Sequence, residues 1–230
     1  MEQIRTRERV ANHGEVFTSA REVNAMLDLV KQETERIESR FLEPACGNGN
    51  FLMVILERKL AVVEKRYGQS QLEFERYAVL VVSALYGIDI LADNVSQCRE
   101  RLFDVFDAVY ERIFPRTSKA SCRDAVRFIL AHNIVWGDAL SFMTAGHPPQ
   151  PIIFPEWSLI QGSLLKRRDF SFQGLLRHEE TREALLFPDP RKPGPQQMGL
   201  FSDLGEDAFI PTPVKDYAPV HFLEVAHVQQ

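Results

Sequence analysis

Cysteine is scarce and scattered in this sequence: Cys46, Cys98 and Cys122 are the only three in 230 residues, and no C-x-x-C pair occurs. Such spacing predicts neither a metal cluster nor a disulfide framework, and it fits a reducing, cytoplasmic environment. Long apolar runs are missing as well. No stretch approaches the ~20 residues that cross a bilayer, and no secretory signal is visible at the start, so no membrane partner is expected. Basic charge is also short, because 27 Lys and Arg stand against 32 Asp and Glu for a net charge of −5. A basic face able to neutralise a phosphate backbone unaided is therefore not expected. Apolar side chains are plentiful, at 45% of the residues, which suits one domain with a substantial core followed by a tail.

The stretch Phe41 to Leu52, FLEPACGNGNFL, joins a short apolar run to a turn of small residues and then to a helix starting near Asn50. That order is strand, tight loop, helix. Gly47 and Gly49 permit backbone angles and a close ligand approach that a Cβ would block. The turn lies at the carboxyl end of a strand and the amino end of a helix, where N–H groups and the helix dipole favour polar or anionic groups. Glu43 at the strand tip adds the opposite sign. The combination suits a nucleoside-like ligand with a cationic end; a plain glycine turn is the alternative.

Along the chain, residues 1 to 13 are polar, and Ser19 with Glu22 reads as a capping box opening a helix. Val23, Met26, Leu27 and Val30 form its apolar stripe, which is expected to pack on a sheet. Helices are predicted over Phe51 to Tyr67, Gln71 to Ala84, Ala92 to Phe114 and Cys122 to Ala131. Strands are predicted at Tyr86 to Ile90, ending in Asp89, and at Asn133 to Leu140, running into Gly137-Asp138. An acidic residue at the tip of a second strand is placed to accept ribose hydroxyls, so Asp89 is a candidate ligand residue. Ile152 to Phe154 is expected to be a fourth strand of the same sheet. These elements predict a doubly wound, Rossmann-like α/β domain with an incomplete sheet over residues 14–158, strands falling near 40, 86, 134 and 152. Residues 159–230 are expected to form an extended tail. It would hold a solvated basic loop at Lys166-Arg167-Arg168, an irregular Pro-rich linker over Phe187 to Pro213, and a terminal strand at Val220 to Ala226.

Glu43 to Leu52 also resembles the [D/E]-P-A-C-G-[S/T]-G-x-F-L signature of adenine-specific (N6) DNA methyltransferases, in particular the modification subunit of type I restriction systems. The resemblance implies an S-adenosylmethionine (SAM) site made by Phe17, Thr18, Glu43, Pro44, Ala45, Cys46, Gly47, Gly49, Asp89, Ile90, Asp138 and Ala139. Asp138 would take the adenine amino group. The family usually has proline after the position of Thr18, where this chain has Ser19. Its catalytic N-P-P-Y falls on Phe154, Pro155, Glu156 and Trp157, and no N-P-P-Y occurs elsewhere. Phe154 cannot accept a hydrogen bond from a target amine. Glu156 would have to be the acceptor and Trp157 the platform for a flipped base, or the site is inactive. The implied function is a SAM-dependent DNA methyltransferase, or a subunit of one, in a restriction-modification or phage-defence setting. DNA and further subunits, homo- or hetero-oligomeric, are its expected partners. A catalytically inactive SAM-binding subunit and a recruited adaptor are the alternatives. The adaptor rests on Gln197, Met198, Leu200 and Phe201, which resemble the Q-[L/M]-x-L-F peptide that binds the bacterial sliding clamp.

Overall fold

The computed structural model describes residues 18–176 and 212–228. Helix α1, Ala20–Asp28, opens on the expected capping box: the Ser19 hydroxyl accepts from the Glu22 N–H, and the Glu22 carboxylate accepts from the Ser19 N–H at 3.1 Å. A short helix α2, Lys31–Glu35, leads to strand β1, Phe41–Glu43. Two helices, α3 (Asn50–Tyr67) and α4 (Gln71–Ser83), then cross to β2, Leu85–Asp89, and two more, α5 (Ala92–Ile113) and α6 (Ala120–Asn133), cross to β3, Ile134–Asp138. A two-residue strand β4, Met143–Thr144, closes this sheet antiparallel to β3. Strands β1, β2 and β3 are parallel and lie in chain order, with Phe41 opposite Leu85 and Gly87 opposite Ile134.

Strand order that follows chain order has a physical consequence, because right-handed crossovers then carry every connecting helix to the same face. On β2, Leu85 joins the core formed with the helices, including Leu56, Val79 and Leu130, whereas Tyr86 and Ile88 belong to a separate cluster with Ile152, Phe154 and Phe172. The fold is mixed α/β with a mostly parallel sheet, but it is wound once: among the described residues no strand order reverses. Helix α1 also departs from expectation. It packs on α3 instead of the sheet, burying Val23 and Leu27 and leaving Met26 and Val30 exposed.

The segment expected to be the fourth parallel strand pairs elsewhere. Strand β5, Ile153–Gln161, turns through Gly162, whose φ is +56°, into β6, Leu164–Ser171, and the two form an antiparallel hairpin. A two-residue turn with glycine at positive φ favours this local pairing over a distant parallel one. Helix α7, Phe172–Leu176, follows. Strands β7 (Lys215–Asp216) and β8 (Val220–His221) both pair with β6. A 3-10 turn over Phe222–Glu224 and helix α8, Val225–Val228, then bury Phe222 and Val225 against α6. A domain boundary at residue 158 therefore falls inside β5, and residues on both sides of it share one core. The terminal segment contributes only two residues of strand, to the hairpin and not to the parallel sheet.

The basic triplet is not a solvated loop. It lies on β6, where Lys166 pairs with Asp216, Arg168 pairs with Glu156, and Arg167 bonds both Asp169 oxygens at 2.7 and 2.9 Å in a buried pair. Each cation has a carboxylate beside it, so the cluster presents no net positive stripe to a nucleic acid. Among the described residues no helix is long and apolar enough to cross a membrane.

Candidate functional site

The loop after β1 is fastened to the tip of β2 by backbone and carboxylate. The Cys46 N–H donates to the Ile88 carbonyl at 2.9 Å, and the Gly47 N–H donates to one Asp89 oxygen at 2.9 Å. The other Asp89 oxygen accepts from the Leu91 N–H at 2.9 Å and from the Asn94 amide at 3.2 Å. A carboxylate offers about four acceptor sites, so Asp89 holds the loop and retains room for a further donor. Gly47 and Gly49 sit at φ +52° and +89°, left-handed angles that L side chains rarely adopt. Gly49 is further restricted because a Cβ there would lie 2.7 Å from the Cys98 sulfur on α5. Among the described residues no side chain caps the start of α3 after Gly49, so its first-turn N–H groups face the loop without an internal cap.

Around this loop the structure gathers several of the expected residues. Glu43 is half-buried at the end of β1; burial pushes its carboxyl up, and the Ala45 N–H partly offsets this. Pro44 and Ala45 are exposed. Thr18 is drawn in from the start of α1, its carbonyl accepting from the Asn50 amide at 3.2 Å. Ile90 and Trp136 make a partly exposed apolar flank, the Trp136 indole N–H donating to the Ile90 carbonyl at 3.0 Å. Asp138 lies at the end of β3, the strand beyond β2 from β1. The Leu140 N–H at 2.9 Å, with the Ser141 hydroxyl, holds the Asp138 carboxyl below the usual range. Ala139 packs beside it against the Tyr86 and Ile88 cluster. Cys46 is a packing residue: its sulfur nestles against Gly87, and the neighbouring Cys98 thiol together with burial pushes its own thiol up, so it stays protonated. Phe17 lies outside the described residues, as do Gln197, Met198, Leu200 and Phe201.

The four residues expected to form a catalytic motif are not at this site. Beginning with Ile152 against Gly137 near the carboxyl end of β3, the chain runs along β5 away from the glycine loop. Phe154 is buried edge-on to Tyr86 and Phe172, with ring centres at 5.3 and 5.5 Å. The Pro155 carbonyl accepts from the Tyr86 hydroxyl at 2.8 Å. Glu156 is held between Arg40, at 2.7 Å, and Arg168. Trp157 is 3% exposed, and its indole N–H donates to the Asn133 side chain at 2.9 Å. An acceptor for an amine and a platform for a base both need an open face, and neither Glu156 nor Trp157 has one directed at the loop.

The loop is also supported from behind, by residues that the sequence does not by itself assign to the site. Asn94, Cys98 and Arg101 recur at i, i+4 and i+7 on α5, a helical stripe in which two members are polar. Arg101 donates to the Asn48 carbonyl at 2.7 Å and to Asn50 Oδ1 at 3.0 Å. That stripe was visible in the sequence as a signal, but its target was not. Within the loop, the Asn48 side-chain oxygen is buried and lacks a hydrogen-bond partner among the described residues. A buried acceptor of this kind calls for a donor that the described residues do not supply. No family model, curated protein or solved structure matches the chain.

Proposed function

We propose that this chain is the SAM-binding part of an adenine-specific DNA methyltransferase, and that the acceptor groups for the target base come from another polypeptide. The reading rests on one observation above the rest: a loop with two left-handed glycines is stitched to the tip of the adjacent strand through Asp89. In this reading Glu43 receives the ammonium of the ligand's amino-acid end, Asp89 a ribose hydroxyl, and Asp138 the adenine amino group. Ile90 and Trp136 flank the purine ring with apolar surface. When bound, SAM supplies an electrophilic methyl on sulfur. The chain's part is to orient the ligand and keep its charged end matched, since a direct transfer needs little from the protein beyond positioning. The need for a second polypeptide is supported by β5, where Phe154 and Trp157 are core residues and Glu156 is tied into ion pairs.

Calorimetric titration with SAM tests the binding reading, with Trp136 emission as a local reporter because Trp157, the other tryptophan, is buried. Saturable heat and a change in emission are expected. In Asp89→Ala the affinity falls by about 1–3 kcal/mol, the range for losing a bonded acceptor. Absence of heat from the full chain sinks the reading. Tritiated SAM with mixed-sequence DNA is expected to leave the DNA unlabelled when this chain is alone, and robust labelling would show that the chain needs no second polypeptide.

A further inference from the structure

The glycine loop and the start of α1 are far apart in sequence, yet one amide joins them. Asn50 stands at the first position of α3. Its Oδ1 accepts from the Arg101 guanidinium at 3.0 Å, and its Nδ2 donates to the Thr18 carbonyl at 3.2 Å. Because Arg101 can only donate, the Asn50 oxygen must face α5, and the amide nitrogen is thereby turned toward Thr18. The same guanidinium holds the Asn48 carbonyl at 2.7 Å. The N–H of that peptide, on Gly49, donates to the Cys46 carbonyl at 2.8 Å, so both ends of the peptide are tied down.

We propose that Arg101 and Asn50 are positioning residues that clamp the Thr18 segment and the glycine loop into a single preformed seat for the ligand. The proposal rests on the SAM-binding reading for the identity of that ligand, but the clamp itself is a property of the unliganded chain. Lower down, α1 has a separate anchor, in which Arg58 on α3 reaches Asn24 at 3.0 Å and Asp28 at 2.8 Å. Loss of the Asn50 bond therefore frees the amino end of α1 without detaching the helix. A preformed seat spares the ligand the ordering of loop and segment on binding, which is how positioning residues raise affinity without touching the ligand.

Asn50→Leu removes both bonds at nearly constant size, Asn50→Asp keeps the acceptor for Arg101 but loses the donor to Thr18, and Arg101→Met keeps the aliphatic stem without the guanidinium. Two measurements are made on the full chain. Amide exchange at Glu22 and Val23, in the first turn of α1, is expected to accelerate roughly three- to tenfold in both Asn50 variants, the effect of one lost hydrogen bond. Exchange in the buried turns of α4 and α6 is expected to stay at its wild-type rate. Affinity for SAM by calorimetry is expected to fall roughly tenfold in Asn50→Leu and in Arg101→Met, where charge-assisted bonds are lost. Should Asn50→Leu not fold, Asn50→Asp decides the exchange comparison and Arg101→Met the affinity comparison. Wild-type exchange at Glu22 and Val23 in the Asn50 variants overturns the clamp. So does faster exchange throughout α4 and α6, which marks general destabilisation. A wild-type chain that binds no SAM removes the proposed ligand, and the exchange comparison still decides the clamp.

Discussion

The stretch Phe41 to Phe51 around the glycine loop and the β5–β6 hairpin contain similar raw material, an acid and aromatics beside a proline, and they use it in opposite ways. In the hairpin every such group is satisfied by the fold: Glu156 by two arginines, Trp157 by Asn133, and the Pro155 carbonyl by Tyr86. At the loop the backbone is tied down while the described residues leave side-chain acceptor capacity unused, as at Asp89 and at the buried Asn48 oxygen. A segment becomes a site when its scaffold is satisfied by other residues and its functional atoms are not. Residue types alone do not distinguish these cases.

That contrast can be broken first at Trp157. Trp157→Ala removes a buried aromatic and leaves Asn133 Oδ1 without its donor, and a loss of about 3–5 kcal/mol in urea unfolding is expected. A smaller effect than 1 kcal/mol would mean that the indole is not a core residue and reopen its role as a platform. Gly49→Ala comes next. It forces a side chain into φ +89° and against the Cys98 sulfur, for a cost of about 1–3 kcal/mol and a parallel loss of SAM affinity. Preserved affinity at reduced stability would separate the loop's shape from ligand binding. Glu156→Gln is expected to change stability by less than about 1 kcal/mol and SAM affinity not at all, because the carboxamide keeps an acceptor for Arg168 and the other partner, Arg40, is half-exposed, where ion pairs are weak. An abolished SAM heat in that variant would move the hairpin into the site.

The smallest effect concerns pH. Burial, with Arg167 and Arg99 nearby, pulls the His132 imidazole below its ordinary value, against the opposing Phe128 carbonyl and Asp169. The folded state thus binds the proton less readily than the unfolded chain. Its contribution to stability is complete above the unfolded value near 6.5 and is lost as pH falls toward the lower folded value. Urea midpoints measured at pH 7.5 and 5.5 should fall more for the wild type than for His132→Gln. Equal falls in the two proteins would show that this imidazole does not titrate differently on folding.

Much of the frame could be read locally. Helix limits agreed to within one or two residues for α3, α4, α5 and α6, because caps, apolar periodicity and glycine turns act over a few residues. The capping box at Ser19 and the left-handed glycines at 47 and 49 were equally legible. After residue 150 the local residue pattern does not decide the fold, because strand pairing there depends on distant segments. Ile152 to Phe154 has the composition of a strand, but nothing in those residues specifies which neighbour a strand takes, and the Gly162 turn offers β6 at a lower loop-closure cost than any strand of the parallel sheet. For the same reason the partner of Lys166 is not legible locally: Asp216 lies 50 residues beyond it, and the pair is made only when β7 returns to β6.

By itself the sequence determined the alternation of strands and paired helices, the position of the glycine loop and the acid at the tip of each parallel strand, since each depends on the chemistry of neighbours within a turn or two of chain. Tertiary structure alone decided that the parallel strands lie side by side in chain order, that Trp157 is core, and that Asn94, Cys98 and Arg101 face the loop. These outcomes depend on which distant surfaces meet. A side chain's hydrogen-bonding capacity is written in its formula, but whether that capacity is left over for a ligand is settled only after the rest of the chain has taken its share.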